Sequence, residues 1–150
     1  MKKLLSVYQS ANSIDVALLI ARVGIAALML GHGLPKLEML FAADPVQFPE
    51  VFGLSATTSL ALAVFTEVIC SILILIGLGT RLAAIPLIIT MLVAVFLVHS
   101  ADPFAKQELG LLFLLPYVVL LLTGSGKYSL DYLLHQTEAK PTYSRELAVK

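Results

Sequence analysis

The chain has 150 residues, the length of one ordinary domain, but 59% of them are hydrophobic and only 13% are charged. Soluble domains carry about 25% charged residues, so this composition predicts an integral membrane protein. Ten basic and ten acidic residues cancel, which excludes the concentrated positive charge typical of a nucleic-acid-binding protein. With one cysteine, the chain cannot form an intramolecular disulfide or a cysteine-based zinc site.

Four apolar segments predict membrane-spanning helices over about residues 14–33, 60–77, 81–99 and 103–123. Each is long enough to cross a hydrocarbon core of about 30 Å, and a backbone in lipid must satisfy its own hydrogen bonds, as a helix does. Asp102 and Pro103 are typical of a helix N-cap and first turn, and they set the start of the fourth helix. The sequence therefore predicts an all-α integral membrane four-helix bundle over residues 1–135, followed by a polar tail over residues 136–150.

Basic residues are unevenly divided between the two sides of this bundle. One side carries both chain ends and is the more basic, with Lys2, Lys3, Arg81, Lys127 and the basic residues of the tail. The opposite loops hold Lys36 and Lys106. The positive-inside rule therefore predicts that both termini are cytoplasmic. The long external loop between the first two helices contains three phenylalanines, and we expect it to fold back onto the mouth of the bundle.

Two charged residues lie inside the predicted spans, where ionisable groups are costly and face the bundle interior. At about 1.5 Å per residue, Arg22 lies about 12 Å and Glu67 about 15 Å from the cytoplasmic ends of their helices. The similar depths predict an Arg22–Glu67 ion pair, with Met91 of the third helix at the same level, as a polar core. Three interpretations stay open: a lock for helix packing, an interfacial Arg22 beside a protonated Glu67, or a role in handling protons or substrate.

A second polar layer is predicted near the external face, where His32, Lys36, His99 and Glu108 are expected to converge. Two histidines and a glutamate have the chemistry of a metal site, but no helix carries two ligands at HxxxH or ExxH spacing, so we predict no metal. The layer could cap helix ends and form ion pairs, or it could hydrogen-bond a polar head group such as a quinone ring. Cys70 is interpreted as a small buried hydrophobic residue.

Several of these residues stand in motifs that resemble one protein family. Residues 32–36 read HGLPK, residues 77–81 read GLGTR and residues 124–131 read GSGKYSLD. Together with Arg22, Glu67, Met91 and Glu108, they resemble the HGxxK, GLxTR and GxGxxSLD elements of the DoxX family of small four-helix bacterial membrane proteins. The resemblance implies a multi-pass protein of the cytoplasmic membrane, whose family-like turn and ending contain Arg81, Gly124, Gly126, Ser129 and Asp131.

Relatives in this family include a subunit of thiosulfate:quinone oxidoreductase, and others are linked to membrane redox complexes. The resemblance therefore implies a quinone-interacting or accessory subunit of a membrane oxidoreductase, without an intrinsic cofactor and with electrons supplied by a redox partner protein. No catalytic residue can be assigned from the sequence. Two other hypotheses stay open: a non-enzymatic membrane module that anchors or assembles a partner protein, and a small-solute permease formed by a homo-oligomer in the lipid bilayer.

Overall fold

The computed structural model describes residues 11–42 and 45–138. Its helices are α1 (Ala11–Phe41), α2 (Ala56–Ile76), α3 (Thr80–Val98), α4 (Phe104–Thr123) and α5 (Leu130–Glu138). The first four are long and apolar enough to cross a membrane, which confirms the predicted all-α membrane bundle. The cytoplasmic placement of the termini stays a prediction, and both Lys2 and Lys3 and the tail beyond residue 138 lie outside the described residues.

Helix α1 runs to Phe41, beyond the end predicted at residue 33, and passes through Pro35. A proline inside a helix costs about 3 kcal/mol because it removes a backbone hydrogen bond. Side chains on both sides of Pro35 (Leu30, Leu37 and Leu40) pack against a buried cluster on α2 formed by Leu60, Val64 and Val68. This packing offsets the proline and keeps the last turns of α1 helical.

Helices α2 and α3 form the antiparallel hairpin that the short glycine-containing connection predicts. Gly77 and Gly79 adopt left-handed conformations with φ of 73° and 58°, and the N–H groups of Gly77 and Leu78 both donate to the Leu73 carbonyl. Glycine reaches this conformation without the steric penalty that a Cβ atom brings. The turn therefore ends α2 and starts α3 within three residues, 77–79.

The bundle has two distinct ends. The turn end holds the α2–α3 turn and the segment of residues 124–129 that joins α4 to α5. The loop end holds the α1–α2 loop (residues 45–55) and the α3–α4 loop (residues 99–103). Val46 and Phe48 of the α1–α2 loop pack against the Leu60 cluster, so the described part of this loop folds back onto the bundle as expected.

The interior between the two ends is a continuous apolar core. All four long helices contribute fully buried side chains, among them Ala26, Ile74, Leu87 and Leu120. Large apolar side chains also cover the outside of the bundle, as in Ile20, Leu28, Leu82 and Leu122. In a membrane this outer surface meets acyl chains rather than water, so the exposed leucines and isoleucines agree with four spanning helices.

Candidate functional site

Arg22 is anchored at the turn end of the bundle. Its side chain is buried, and its Nη1 and Nη2 donate hydrogen bonds of 2.6 Å to the carbonyl oxygens of Ser125 and Tyr128. A Cβ atom placed on Gly77 would run into the same guanidinium group. Arg22 therefore lies level with Gly77, the first residue of the α2–α3 turn.

Glu67 lies about three helical turns from Arg22 toward the loop end, so the predicted Arg22–Glu67 ion pair is wrong. Its Cβ would be 3.0 Å from a Cβ atom placed on Gly33 of α1. Eleven residues separate Arg22 from Gly33 on one helix, about 16 Å at 1.5 Å per residue. The prediction failed because the start of α1 is not level with the α2–α3 turn. Arg22 lies level with Gly77, so residues 11–21 extend past the end of α2, and counting from each helix end gave the two residues a common depth that they do not have.

The family-like turn and ending form a structural clamp at the turn end. Ser129 caps α5, since its Oγ accepts a hydrogen bond from the Tyr132 N–H. The Asp131 carboxylate accepts a 2.8 Å hydrogen bond from the Gly79 N–H at the start of α3, and the Asp131 N–H donates to the Gly77 carbonyl. Together with Arg22, these contacts fasten the segment after α4 to the α2–α3 turn.

Three other residues of this motif pack around the clamp. Arg81 donates from Nη2 to the Leu122 carbonyl at 3.2 Å. Gly124 lies against the Arg81 side chain, and Gly126 lies against Leu18 and Asp15 of α1. These residues, which the sequence singled out as candidate site residues, hold helix ends together at the turn end.

A cavity of about 150 Å³ opens at the loop end between α1, α2, α3 and α4. It is lined by polar side chains, which are His32, Lys36, Glu67, His99 and Lys106, and by apolar residues that include Met29, Met91, Val95, Gly110 and Phe113. The structure thus joins Glu67 and Met91 of the predicted polar core to His32, Lys36 and His99 of the predicted outer layer in one site.

Glu108 does not belong to this cavity, contrary to expectation. The residues of α4 that line the cavity are Lys106, Leu109, Gly110 and Phe113, whose spacing of three and four places them on one helix face. Glu108 falls on another face and is exposed. The sequence placed it at the correct end of the bundle but could not give the rotation of α4 about its axis.

A short ion pair in the cavity joins Lys36 to Glu67. The Nζ of Lys36 lies 2.5 Å from the Oε1 of Glu67, and it also lies 5.8 Å from the centre of the Phe48 ring. Only 4% of the Glu67 side chain is exposed, and a carboxylate buried to this extent needs a cation nearby to offset its loss of hydration. Lys36 therefore makes it possible for a charged Glu67 to lie in the wall of the cavity.

The two histidines are held by different neighbours. The His32 ring meets the Phe113 ring edge to face, with 5.4 Å between the ring centres. His99 approaches Asp102 with its Nδ1 atom 2.7 Å from a carboxylate oxygen, and Lys106 contacts the other oxygen at 3.3 Å. These hydrogen bonds, chiefly the one with His99, lower the pKa of Asp102 below its ordinary value. Asp102 thereby orients the His99 ring at the rim of the cavity.

Two π-helical turns flank the cavity, and the sequence gave no signal for either. Phe65–Cys70 of α2 contains Glu67, and Ala94–Val98 of α3 contains two of the lining residues. A π turn inserts an extra residue into a helix and is frequent at functional sites. Here the wider turns change the rotation of both helices at the level of the cavity.

The lining suits a small ring that carries hydrogen-bonding oxygens. A cavity of about 150 Å³ can hold a single six-membered ring. Lysine and histidine side chains supply donors, and Met29, Met91 and Phe113 supply apolar contacts. Within residues 11–42 and 45–138, no group of three or more histidine, cysteine, aspartate and glutamate side chains is arranged to hold a metal ion.

Fold and site together define a small multi-pass membrane protein with a polar cavity at one end of a four-helix bundle. The DoxX family model matches residues 17–100, which include every cavity residue on α1, α2 and α3. The chain belongs to the DoxX family. No solved structure matches it.

Three curated relatives resemble the chain over most of its length. The protein named "Putative oxidoreductase CatD" of Bacillus subtilis is 30% identical over 121 residues, covering 80% of this chain and 88% of the relative. An uncharacterized membrane protein of Mycobacterium tuberculosis is 30% identical over 131 residues, covering 73% and 76%. An uncharacterized protein of Haemophilus influenzae is 32% identical over 117 residues, covering 73% and 84%.

Proposed function

We propose that this protein is a quinone-interacting or accessory subunit of a membrane oxidoreductase system in the bacterial inner membrane. The cavity at the loop end carries the proposal, because it combines room for one ring with lysine and histidine donors inside a membrane bundle. The name of the Bacillus subtilis relative, which calls that protein an oxidoreductase, agrees with this assignment.

The cavity residues fit a quinone head group. Lys36, His32 and His99 would face the ring oxygens as hydrogen-bond donors, and Met29, Met91 and Phe113 would contact the ring itself. The apolar outer surfaces of the helices offer a path for a hydrophobic tail along the acyl chains. When bound, a quinone supplies coupled electron and proton chemistry, with the electrons coming from a redox partner protein.

The contribution of the chain itself is to bind the ring and to place a carboxylate beside it. Glu67 lines the cavity and is paired with Lys36. A carboxylate at hydrogen-bonding distance from a ligand oxygen can hold or release a proton there. The Lys36 ammonium group, shared between Glu67 and the cavity, would keep the carboxylate at the ligand-facing wall.

Extraction of the purified protein with organic solvent, followed by mass spectrometry for quinone, tests the proposal. We expect quinone to copurify with the wild type. The Glu67→Gln and His32→Ala variants should contain less bound quinone. Ala94→Leu fills the cavity, since Ala94 lines it, and we expect this variant to lose quinone. Ala105→Leu is its matched control because Ala105 is exposed on the outside of α4, and it should retain quinone.

Variants are compared only where thermal unfolding shows that they remain folded. If no folded sample contains quinone, and added quinones do not raise the melting temperature, the proposal is wrong. A membrane module that anchors or assembles a partner would then predict copurification of that partner, and an oligomeric permease would predict solute uptake into sealed vesicles.

A further inference from the structure

Three buried polar atoms lie at the cavity wall and one helical turn beneath it. They are the Oε2 of Glu67, the Oγ of Ser71 and the hydroxyl of Tyr117, in residues that are 3%, 0% and 0% exposed. Ser71 follows Glu67 by one turn of α2, and Tyr117 follows the cavity residue Phe113 by one turn of α4. The Tyr117 hydroxyl faces Ser71 and is also close enough to Glu67 for an electrostatic interaction.

None of these three atoms has a hydrogen-bond partner at normal distance and angle among the described residues. In native proteins, buried polar atoms are almost always satisfied by another protein group or by ordered water. The Ser71 and Tyr117 hydroxyls can each donate and accept one or more hydrogen bonds, and a carboxylate oxygen accepts. A water molecule between these groups would have three polar partners, within the two to four that a buried water molecule typically has.

We propose that Glu67, Ser71 and Tyr117 form a binding site for an ordered water molecule beneath the cavity. The water donates a hydrogen bond to the Oε2 of Glu67 and exchanges hydrogen bonds with the two hydroxyls. Lys36 holds the other carboxylate oxygen, Oε1, at 2.5 Å. With both oxygens held, the plane of the Glu67 carboxylate is fixed in the cavity wall, which makes Ser71 and Tyr117 positioning residues for Glu67.

The consequence for a ligand rests on the proposed function, whereas the water site itself does not. A carboxylate fixed through both oxygens meets a head group in one orientation, and its bound water connects it to the Tyr117 hydroxyl. Removing either hydroxyl should leave the cavity lining intact, because neither Ser71 nor Tyr117 lines the cavity. Ring binding and carboxylate positioning can therefore be separated experimentally.

The sign of the stability change in Tyr117→Phe and Ser71→Ala tests the site. Removing a buried hydroxyl that has no partner should leave the stability unchanged or raise it, whereas removing a hydroxyl that binds water should lower the stability. We expect both variants to melt at lower temperature than the wild type. The loss of stability in the double variant should be smaller than the sum of the losses in the two single variants, because both single changes disrupt the same water site. Unchanged or higher melting temperatures in both single variants would overturn the proposal.

Thr80→Val is the matched control. The Oγ1 of Thr80 is also buried and has no hydrogen-bond partner in the part of the chain that the structure describes, but Thr80 lies at the turn end, away from the cluster. Because Thr80 lies away from Glu67, its effect on the melting temperature should add to that of Tyr117→Phe in the double variant, unlike the effect of Ser71→Ala. This comparison separates the loss of a hydroxyl in general from the loss of the water site.

Infrared difference spectroscopy tests the positioning role directly. Subtracting the Glu67→Gln spectrum isolates the carboxylate stretching bands of Glu67, and exchange into ¹⁸O-labelled water identifies bands of bound water. We expect Tyr117→Phe and Ser71→Ala to shift the carboxylate bands and to remove a water band, with Thr80→Val changing neither. Unshifted bands, or a carbonyl band of a protonated Glu67 in place of the carboxylate bands, would overturn the proposal.

The two proposals fail in different ways. Shifted bands in a protein that binds no quinone would leave the water site standing and remove the quinone assignment. If quinone copurifies with Tyr117→Phe and Ser71→Ala at wild-type amounts and the carboxylate bands are unchanged, the water site is overturned and the quinone assignment stands.

Discussion

Lys36 and Glu67 are joined at 2.5 Å but are unequally buried, with 30% of the lysine side chain and 4% of the glutamate side chain exposed. The two partners therefore depend on each other to different degrees. Without Glu67, the ammonium group of Lys36 can still reach solvent at the loop end. Without Lys36, the carboxylate of Glu67 stays in the bundle with no cation beside it.

This difference predicts an asymmetric response to mutation. Lys36→Met should destabilise the protein by about 3–5 kcal/mol, the usual cost of leaving a buried charge without its partner. Glu67→Gln should cost less, and Lys36→Met combined with Glu67→Gln should be more stable than Lys36→Met alone. Chemical unfolding of the three variants in bicelles provides the measurement. Equal losses in the two single variants would contradict the unequal burial.

The glycines of the α2–α3 turn should differ sharply from each other. Both are left-handed, so alanine costs about 1–2 kcal/mol at either position. At Gly77, however, a Cβ atom would lie 2.6 Å from the Cβ of Ser129, whereas at Gly79 nothing lies within 4 Å. Gly77→Ala should therefore be clearly more destabilising than Gly79→Ala. Melting temperatures of the two variants test this, and a pair of similar values would mean that the clamp yields to the new methyl group.

Arg22 should be replaceable neither by lysine nor by a neutral residue. Its planar guanidinium group reaches two carbonyl oxygens at 2.6 Å each, a geometry that a single ammonium group does not reproduce. Arg22→Lys should cost about 1.5–3 kcal/mol, the value of one hydrogen bond to a charged group. Arg81→Lys is the control: Arg81 is exposed, so we expect a change within about 0.5 kcal/mol. Unfolding free energies of the two variants provide the measurement. A small change in Arg22→Lys would mean that the site requires only a positive charge and not the two hydrogen bonds of the guanidinium group.

The stability of the folded protein should depend on pH through Asp102 at the loop end. Its pKa is lowered in the folded protein by His99 and Lys106, so the folded state favours the charged form more than the unfolded state does. The resulting stability is fully present above the unfolded pKa of about 3.9 and is lost as the pH falls through the lower folded value. The melting temperature of Asp102→Asn should therefore be lower than that of the wild type at neutral pH. The difference between the two melting temperatures should become smaller below about pH 4.

Ser100→Ala in the same loop is the control, because it removes the hydrogen bond to the Leu97 carbonyl without removing an ionisable group. Its difference from the wild type should not change with pH. Melting curves recorded from neutral pH into acid provide the comparison. A melting-temperature difference between Asp102→Asn and the wild type that becomes larger in acid would contradict the lowered pKa of Asp102.

The four spans could be predicted because membrane helices follow from apolar length alone. The clustering of His32, Lys36 and His99 also followed from sequence, since the predicted spans placed all three near the same side of the bundle. The partner of Glu67 did not follow. Choosing between Arg22 and Lys36 requires the level of α1 against α2, and that level depends on helix ends that apolar composition does not locate to within a turn.

The rotation of each helix was equally inaccessible. The π-helical turns at Phe65–Cys70 and Ala94–Val98 arise from packing among four helices and have no local signature in the sequence. They decide which side chains of α2 and α3 face the cavity. For the same reason, Glu108 could be placed at the loop end from the sequence but not on a particular face of α4.

The clamp at the turn end has a consequence for the order in which the protein is made. Arg22 precedes its two carbonyl partners by 103 and 106 residues, which ribosomes take roughly 5–20 s to synthesise at 5–20 residues per second. During this interval the guanidinium group of Arg22 lacks the two carbonyl oxygens that it binds in the folded protein. The nascent bundle is therefore completed by its last-made segment, and a chain truncated before Ser125 keeps an unsatisfied arginine in its first helix.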